Sequence, residues 1–154
     1  MLAGSIFLYW QTYHYWPWQK DVKTGEPAAT VSPEGASPQA KEPRDYVMED
    51  VALRISEISP VEPVLGGKWY VLRYWFVDGS YNSFYVEYED GHIMRKLLLT
   101  ADLSQMPKIS YSVNAVFEPG ESDWTLKSGK DQQSSLPLIL FEKDAKTGRW
   151  TQKN

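Results

Sequence analysis

An all-β fold is what this sequence predicts: a small antiparallel sandwich or open barrel of about seven or eight strands, built around a central three-stranded meander. Three observations carry it. Long runs rich in aromatic and β-branched residues follow one another from residue 68 onward. Two of the breaks between them are Asp-Gly pairs, Asp78-Gly79 and Asp90-Gly91, the dipeptide that most readily supplies the positive φ of a tight hairpin. No stretch of the domain shows a persuasive 3.6-residue period.

Taken in order, 51–58 (Val-Ala-Leu-Arg-Ile-Ser-Glu-Ile) reads as a first strand, broken off by Pro60, Pro63 and Gly66-Gly67. Residues 68–77 and 81–89 form a hairpin through Asp78-Gly79, and Asp90-Gly91 leads into a third strand over 92–100. Residues 94–105 are the best helical alternative, but that stretch opens inside a run whose turn and pairing already fit a strand. Two-residue loops at both corners set Val77 opposite Ser80, Lys68 opposite Glu89, Glu89 opposite His92 and Tyr85 opposite Lys96. In that register opposite charges meet at the far end of the hairpin, a favourable cross-strand pair.

Alternation then divides the meander into two faces. One carries Trp69, Val71, Arg73 and Trp75, then Asn82, Phe84, Val86 and Tyr88, then Ile93, Arg95, Leu97 and Leu99. It is the more continuously apolar and the better core candidate, although Arg73 and Arg95 must reach water or stack on a ring such as Phe84 or Trp75. The other face carries Tyr70, Leu72, Tyr74 and Phe76, then Tyr81, Ser83, Tyr85, Glu87 and Glu89, then His92, Met94, Lys96, Leu98 and Thr100.

Further along, Ile109, Tyr111, Val113, Ala115 and Phe117 alternate with Lys108, Ser110, Ser112 and Asn114, as a half-buried strand does. Pro119-Gly120 ends it. Residues 124–127 suit a short strand and 128–135 a polar loop; 136–142 and 149–152 flank a turn in which Gly148 supplies the positive φ. Pro137 places the 136–142 strand at an edge, because proline cannot donate to a ladder.

Ahead of this domain, at 46–154, lie two segments of different character. Residues 19–45 hold Pro27, Pro33, Pro38 and Pro43 among small and charged residues, with Val22 and Val31 as the bulky aliphatics. So little to bury does not offset the entropy of ordering a backbone, and the segment reads as a Pro-rich linker. Residues 1–18 combine the apolar Ile6-Phe7-Leu8 with Tyr9, Trp10, Tyr13, Tyr15, Trp16 and Trp18. Aromatic rings after an apolar run mark the end of a membrane span, but about 20 residues are needed to cross. The reading is a truncated membrane-anchor end, with an aromatic flap packed back on the domain as the alternative. Lys20 and Lys23 are offset by Asp21 and Glu26, so no basic excess marks a cytoplasmic flank, and the domain is expected on the extracytoplasmic side of a single-pass anchor.

Composition limits the chemistry. Sixteen Lys and Arg against twenty Asp and Glu give a net charge of −4, the wrong sign for a phosphate-backbone binder, so no nucleic-acid partner is expected. The chain has no cysteine, which removes disulfides, thiolate catalysis and thiolate metal sites. His14 and His92 are the two histidines. Asp90 and His92 with Glu87 and Glu89 would be the place to gather oxygen and nitrogen ligands, yet a surface turn accounts for them as well, and no metal or cofactor is expected. Glu87 and Glu89 share a face at about 7 Å by strand geometry, a separation that suits paired-carboxylate chemistry and that any polar strand edge also produces. Ser80, Ser83, Ser110 and Ser112 lie on no Gly-x-Ser-x-Gly elbow, and neither Gly-x-Gly-x-x-Gly nor a Walker sequence occurs.

What is unusual is aromatic density: nine aromatic residues fall between Lys68 and Tyr88. On the second face Tyr70, Tyr74, Tyr81 and Tyr85 would make a polar-tipped platform for a sugar or a peptide. The expectation is therefore a noncatalytic structural or protein-interaction domain of a membrane-anchored envelope protein, reaching the membrane through its N-terminal segment and taking an envelope protein or glycan as partner. A carbohydrate- or peptide-binding module using the tyrosine-rich face is the alternative.

Overall fold

The computed structural model describes residues 40–154. The anchor expected at 1–18 and the linker up to residue 39 lie outside the described residues. The described residues open with a helix, α1 (Pro43–Ile58), followed by a 3-10 turn at Val64–Gly66 and seven strands: β1 (Tyr70–Val77), β2 (Ser83–Glu89), β3 (Met94–Asp102), β4 (Ser110–Pro119), β5 (Trp124–Gly129), β6 (Leu138–Lys143) and β7 (Trp150–Lys153). The strands form one open antiparallel sheet in the order β5-β4-β3-β2-β1-β6-β7. The all-β expectation and its central meander are thus realised in the sheet, with α1 as the one α-helix among the described residues.

The helix replaces the strand expected at 51–58, and its start lies inside the last three residues read as linker. Pro43 stands in the first turn, where its missing N–H costs nothing and its fixed φ suits the helix. The Asp45 carboxylate accepts from the Glu42 backbone N–H at 2.9 Å, an acid placed where the macrodipole favours it. Val47, Val51 and Ile55, four residues apart, and Met48 beside them are buried, while Leu53 is 86% exposed. Val51, Leu53 and Ile55 imitate a strand phase, and the outward Leu53 is what made the helical stripe hard to see. Pro60 follows the last turn, and α1 ends at Ile58.

Helix α1 covers one face of the sheet. Its apolar stripe packs with Trp69, Tyr74, Phe76, Phe84, Val86, Tyr88, Leu97, Leu99 and Phe141 in the main core. Polar contacts fix its position: the buried Tyr74 hydroxyl donates to the Met48 carbonyl at 2.7 Å, the Tyr111 hydroxyl to Asp50 at 2.7 Å, and the Arg54 guanidinium to the Ile109 carbonyl at 3.0 Å. At its N-terminal end the Arg44 guanidinium lies over Phe76, Tyr81 and Phe141 at 5.1–5.3 Å, a cation–π arrangement.

Both Asp-Gly corners turn the chain where expected, but through longer loops, residues 78–82 and 90–93. Tyr70, and not Lys68, therefore faces Glu89, and Glu87, and not Tyr85, faces Lys96. The second displacement is by two residues and keeps every side chain on its expected face. At the first corner the shift is odd, and a bulge at Leu72 adds one residue to β1. Trp69 and Val71 stay on the helix side, whereas Tyr74 and Phe76 join them there in place of Arg73 and Trp75. A second bulge, at Asn114 in β4, has the same effect: Tyr111 packs on the helix side and Ala115 and Phe117 on the other. Strand β6 is interior, between β1 and β7; Pro137 just precedes it and its carbonyl accepts from Asp78 N–H at 2.9 Å, so the missing donor falls outside the ladder.

One connection is unusual. Residues 130–137 link edge strand β5 to β6, which lies beyond β4, β3, β2 and β1. Five strand spacings are about 24 Å, and nine extended chain steps reach about 30 Å, so the connection must run fairly directly across the sheet. It does so on the side away from α1, where Asp131 accepts a hydrogen bond from the Tyr85 hydroxyl.

Candidate functional site

The face opposite α1 has no element packed over it among the described residues other than this crossing connection, and its side chains fall into two cross-strand rows. One runs Leu140, Trp75, Tyr85, Leu98, Ala115. Its neighbour runs Glu142, Arg73, Glu87, Lys96, Phe117, Leu126. The second row alternates in charge over its first four members and then becomes apolar. Paired strands hold successive members about 5 Å apart, which is the distance at which cross-strand charges and rings interact.

The charged members are ordered by specific contacts. The Arg73 guanidinium lies 3.2 Å from Glu87 and 3.7 Å from Glu142. Glu87 is only 6% exposed and also accepts from the Trp75 indole N–H at 3.0 Å. Lys96 reaches over three rings, with its Nζ 4.8 Å from the centre of Tyr85, 5.6 Å from Trp124 and 5.8 Å from Phe117. Burial among these rings pulls the Lys96 ammonium below the usual lysine range, against the opposing pull of Glu87, Asp123 and Asp131. Burial, reinforced by Asp131, pushes the Tyr85 phenol far up, so it remains a donor at any physiological pH. Next to these rows the Asn114 amide donates to Thr100 at 2.6 Å.

The tyrosines expected to form one platform are divided. Tyr74 is fully buried under α1. Tyr85 is on the other face, 3% exposed, in the small cluster with Leu98, Ala115 and Phe117. Tyr70 and Tyr81 are 58% and 47% exposed, Tyr70 at the start of β1 and Tyr81 in the 78–82 loop under Arg44. The bulge at Leu72 is the physical reason, since it turns Tyr74 away from the side on which Tyr85 lies. Arg73, assigned to the core side from the sequence, moves to the face opposite α1 by the same bulge; Arg95 stays beside Tyr88 and meets Glu118 at 3.5 Å.

The residues weighed for metal or acid–base chemistry are dispersed. Asp90 accepts from the backbone N–H groups of Val64, His92 and Ile93 at 2.6, 2.8 and 2.8 Å. Burial disfavours its charge, but these donors prevail and hold its carboxyl below the ordinary range. His92 is half exposed, its Nδ1 3.9 Å from Asp90. Among the described residues no three His, Asp or Glu side chains approach closely enough to hold a metal ion, and no helix is long and apolar enough to cross a membrane.

Sequence reasoning named Glu87 but missed the part played by Trp75, Lys96, Phe117, Trp124 and Asp131. The available signal was Lys96 itself, a lysine in a strand that continues Leu97-Leu98-Leu99. Comparison of the chain with protein-family models, with curated proteins and with solved structures gives no match.

Proposed function

We propose that the domain is a noncatalytic protein-interaction module of a membrane-anchored envelope protein, and that the sheet face opposite α1 receives the partner. The observation that carries this reading is the pair of cross-strand rows: an ordered strip of charge ending in apolar residues, crossed among the described residues by the 130–137 connection alone and opening to solvent at Leu126. The strip's aromatic rings and Arg73 are residue types that protein contact surfaces favour, and its ordered charges give such a contact a register. The noncatalytic part of the proposal draws on placement. His92 precedes by four residues Lys96, the cross-strand partner of Glu87, a separation of roughly 13 Å in extended chain, too far for His92 and Glu87 to share a proton.

A photo-crosslinking amino acid placed at Leu126 in the full chain, in its native cells, tests the reading against the same group at Leu53 on the outer side of α1. Discrete adducts from Leu126 and none from Leu53 are expected. Equal yields from both positions, or none from Leu126, would overturn it. Glycan binding is the second reading, favoured by the partly buried rings of Trp75 and Trp124 on this face. It predicts binding on a glycan array that is lost in Trp124→Ala.

A further inference from the structure

We propose that Lys96 anchors a carboxylate-binding subsite on the sheet face opposite α1, taking an Asp or Glu side chain, flanked by an apolar residue, from an extended segment of the protein partner. The inference rests on the functional reading above and assigns the chemistry of its partner.

The argument begins with acceptors. An ammonium has three N–H donors, and the aromatic faces of Tyr85, Trp124 and Phe117 attract its charge without supplying an acceptor oxygen. The carboxylates near Lys96 have closer donors: Glu87 has Arg73 and the Trp75 indole, Asp123 has the Trp124 backbone N–H, and Asp131 has the Tyr85 hydroxyl and the Gln133 backbone N–H. Among the described residues Lys96 has neither a hydrogen-bond acceptor nor an ion-pair partner within 4.0 Å. Lys127, on the edge strand β5, is already paired with Glu118 at 3.1 Å.

Charge order gives the sign of the ligand. Along Glu142, Arg73, Glu87 and Lys96 the formal charges sum to zero, but Arg73 takes the direct contacts with both carboxylates, which leaves Lys96 as the member of the row without an ion pair among the described residues. The complement is one negative group directly above Lys96. Beyond it the row continues into Phe117 and then Leu126, 45% exposed on the edge strand, so the neighbouring group of the ligand meets an apolar surface. An acidic residue next to an apolar one has that pattern; a free inorganic anion lacks the apolar half.

The site is also pre-organised. A lysine side chain loses rotamer entropy when it is fixed by a ligand, and here three rings already restrict it. Burial of the ammonium, which lowers its affinity for a proton, means that an incoming carboxylate restores part of the missing solvation.

The test uses the full chain, with lysine side-chain resonances followed by NMR while acetyl-Leu-Glu-Leu-amide, acetyl-Leu-Gln-Leu-amide, glucuronate and inorganic phosphate are titrated separately. The expected result is a saturable shift of the Lys96 signal with the Glu peptide, at least tenfold weaker binding of the Gln peptide, and loss of the preference in Lys96→Met. Lys96→Arg retains the preference, because charge is kept; this variant and the wild-type titration remain informative should Lys96→Met fold poorly. Equal affinity for the two peptides overturns the proposal. So does a Lys96 signal that answers to glucuronate or phosphate and not to the Glu peptide, which would assign the site to a sugar acid or to a simple anion. Crosslinking from Leu126 together with an unresponsive Lys96 would leave the interaction surface standing and remove this subsite alone.

Discussion

Replacing Tyr74 separates the observed packing from the surface role its sequence context suggested. The ring is fully buried, 4.7 Å from Trp150 in an edge-to-face contact and 6.0 Å from Phe84. Its hydroxyl donates to the Met48 carbonyl of α1 at 2.7 Å. Tyr74→Phe keeps the ring and loses the hydrogen bond, for a cost of about 1 kcal/mol. Tyr74→Ala removes the ring as well and leaves a cavity beneath the helix, for about 4 kcal/mol. With a urea m-value of about 2 kcal/mol/M, the unfolding midpoint should fall by about 0.5 M for Phe and about 2 M for Ala, followed by far-UV circular dichroism. Tyr70→Ala, at a 58% exposed position, should stay within about 0.5 kcal/mol of the parent. A stable Tyr74→Ala alongside a destabilised Tyr70→Ala would refute the face assignment and, with it, the location of the surface opposite α1.

Three further outcomes follow from local geometry. Gly129 has φ +82°, and a Cβ there would run into the Asn114 carbonyl oxygen and approach Ala115 Cα to 2.8 Å; Gly129→Ala should cost roughly 1–3 kcal/mol from the backbone conformation alone, and a melting temperature equal to the parent's would contradict the β4–β5 pairing. Tyr111→Phe and Asp50→Asn remove opposite ends of one hydrogen bond between sheet and helix, so a double-mutant cycle should give a coupling of about 0.5–3 kcal/mol, with strict additivity as the adverse result. The Asp90 carboxyl is held below 3.8 in the folded chain, so its contribution to stability is complete above that value and is lost as pH falls through the folded-state value, because the unfolded chain binds the proton first. Urea midpoints measured from pH 5 downward should decline less steeply in Asp90→Asn than in the parent; parallel curves would count against the role of this side chain.

Much of the sheet was legible because its signals are local. The two Asp-Gly corners lie where the chain turns, and seven runs of alternating or aromatic residues match the seven strands to within a few positions. What local signals do not specify is how many residues a loop absorbs. Gly79 and Gly91 have φ of +75° and +87°, as the turn chemistry requires, yet the loops extend to Asn82 and Ile93. The Ser80 side chain accepts from Asn82 and Ser83 N–H at 3.3 and 3.1 Å, and Asp90 caps the second loop in the same manner. Side-chain caps of this kind compete with the minimal hairpin and lengthen it. The helix was obscured for a different reason: Val51, Leu53 and Ile55 satisfy a period of two, and only Val47 and Met48, ahead of them, together with Pro43 and Asp45, reveal the period of 3.6.

The candidate site depended on the two inserted residues more than on any motif. Strict alternation from Trp69 puts Arg73 and Trp75 on the helix side; alternation from Ile109 puts Ala115 and Phe117 there too. Bulges at Leu72 and Asn114 reverse both halves, and the reversal is favourable to each face. Tyr74 and Phe76 enter the main core, where their area is buried against α1, while the Arg73 charge leaves it for Glu87 and Glu142. A buried unpaired guanidinium is among the costliest groups a core can hold, so the charge pattern itself argues for a bulge somewhere between Trp69 and Arg73. By the same displacement Phe117 arrives opposite Lys96, and the aromatic setting of that lysine exists only because β4 carries one residue more than its partner.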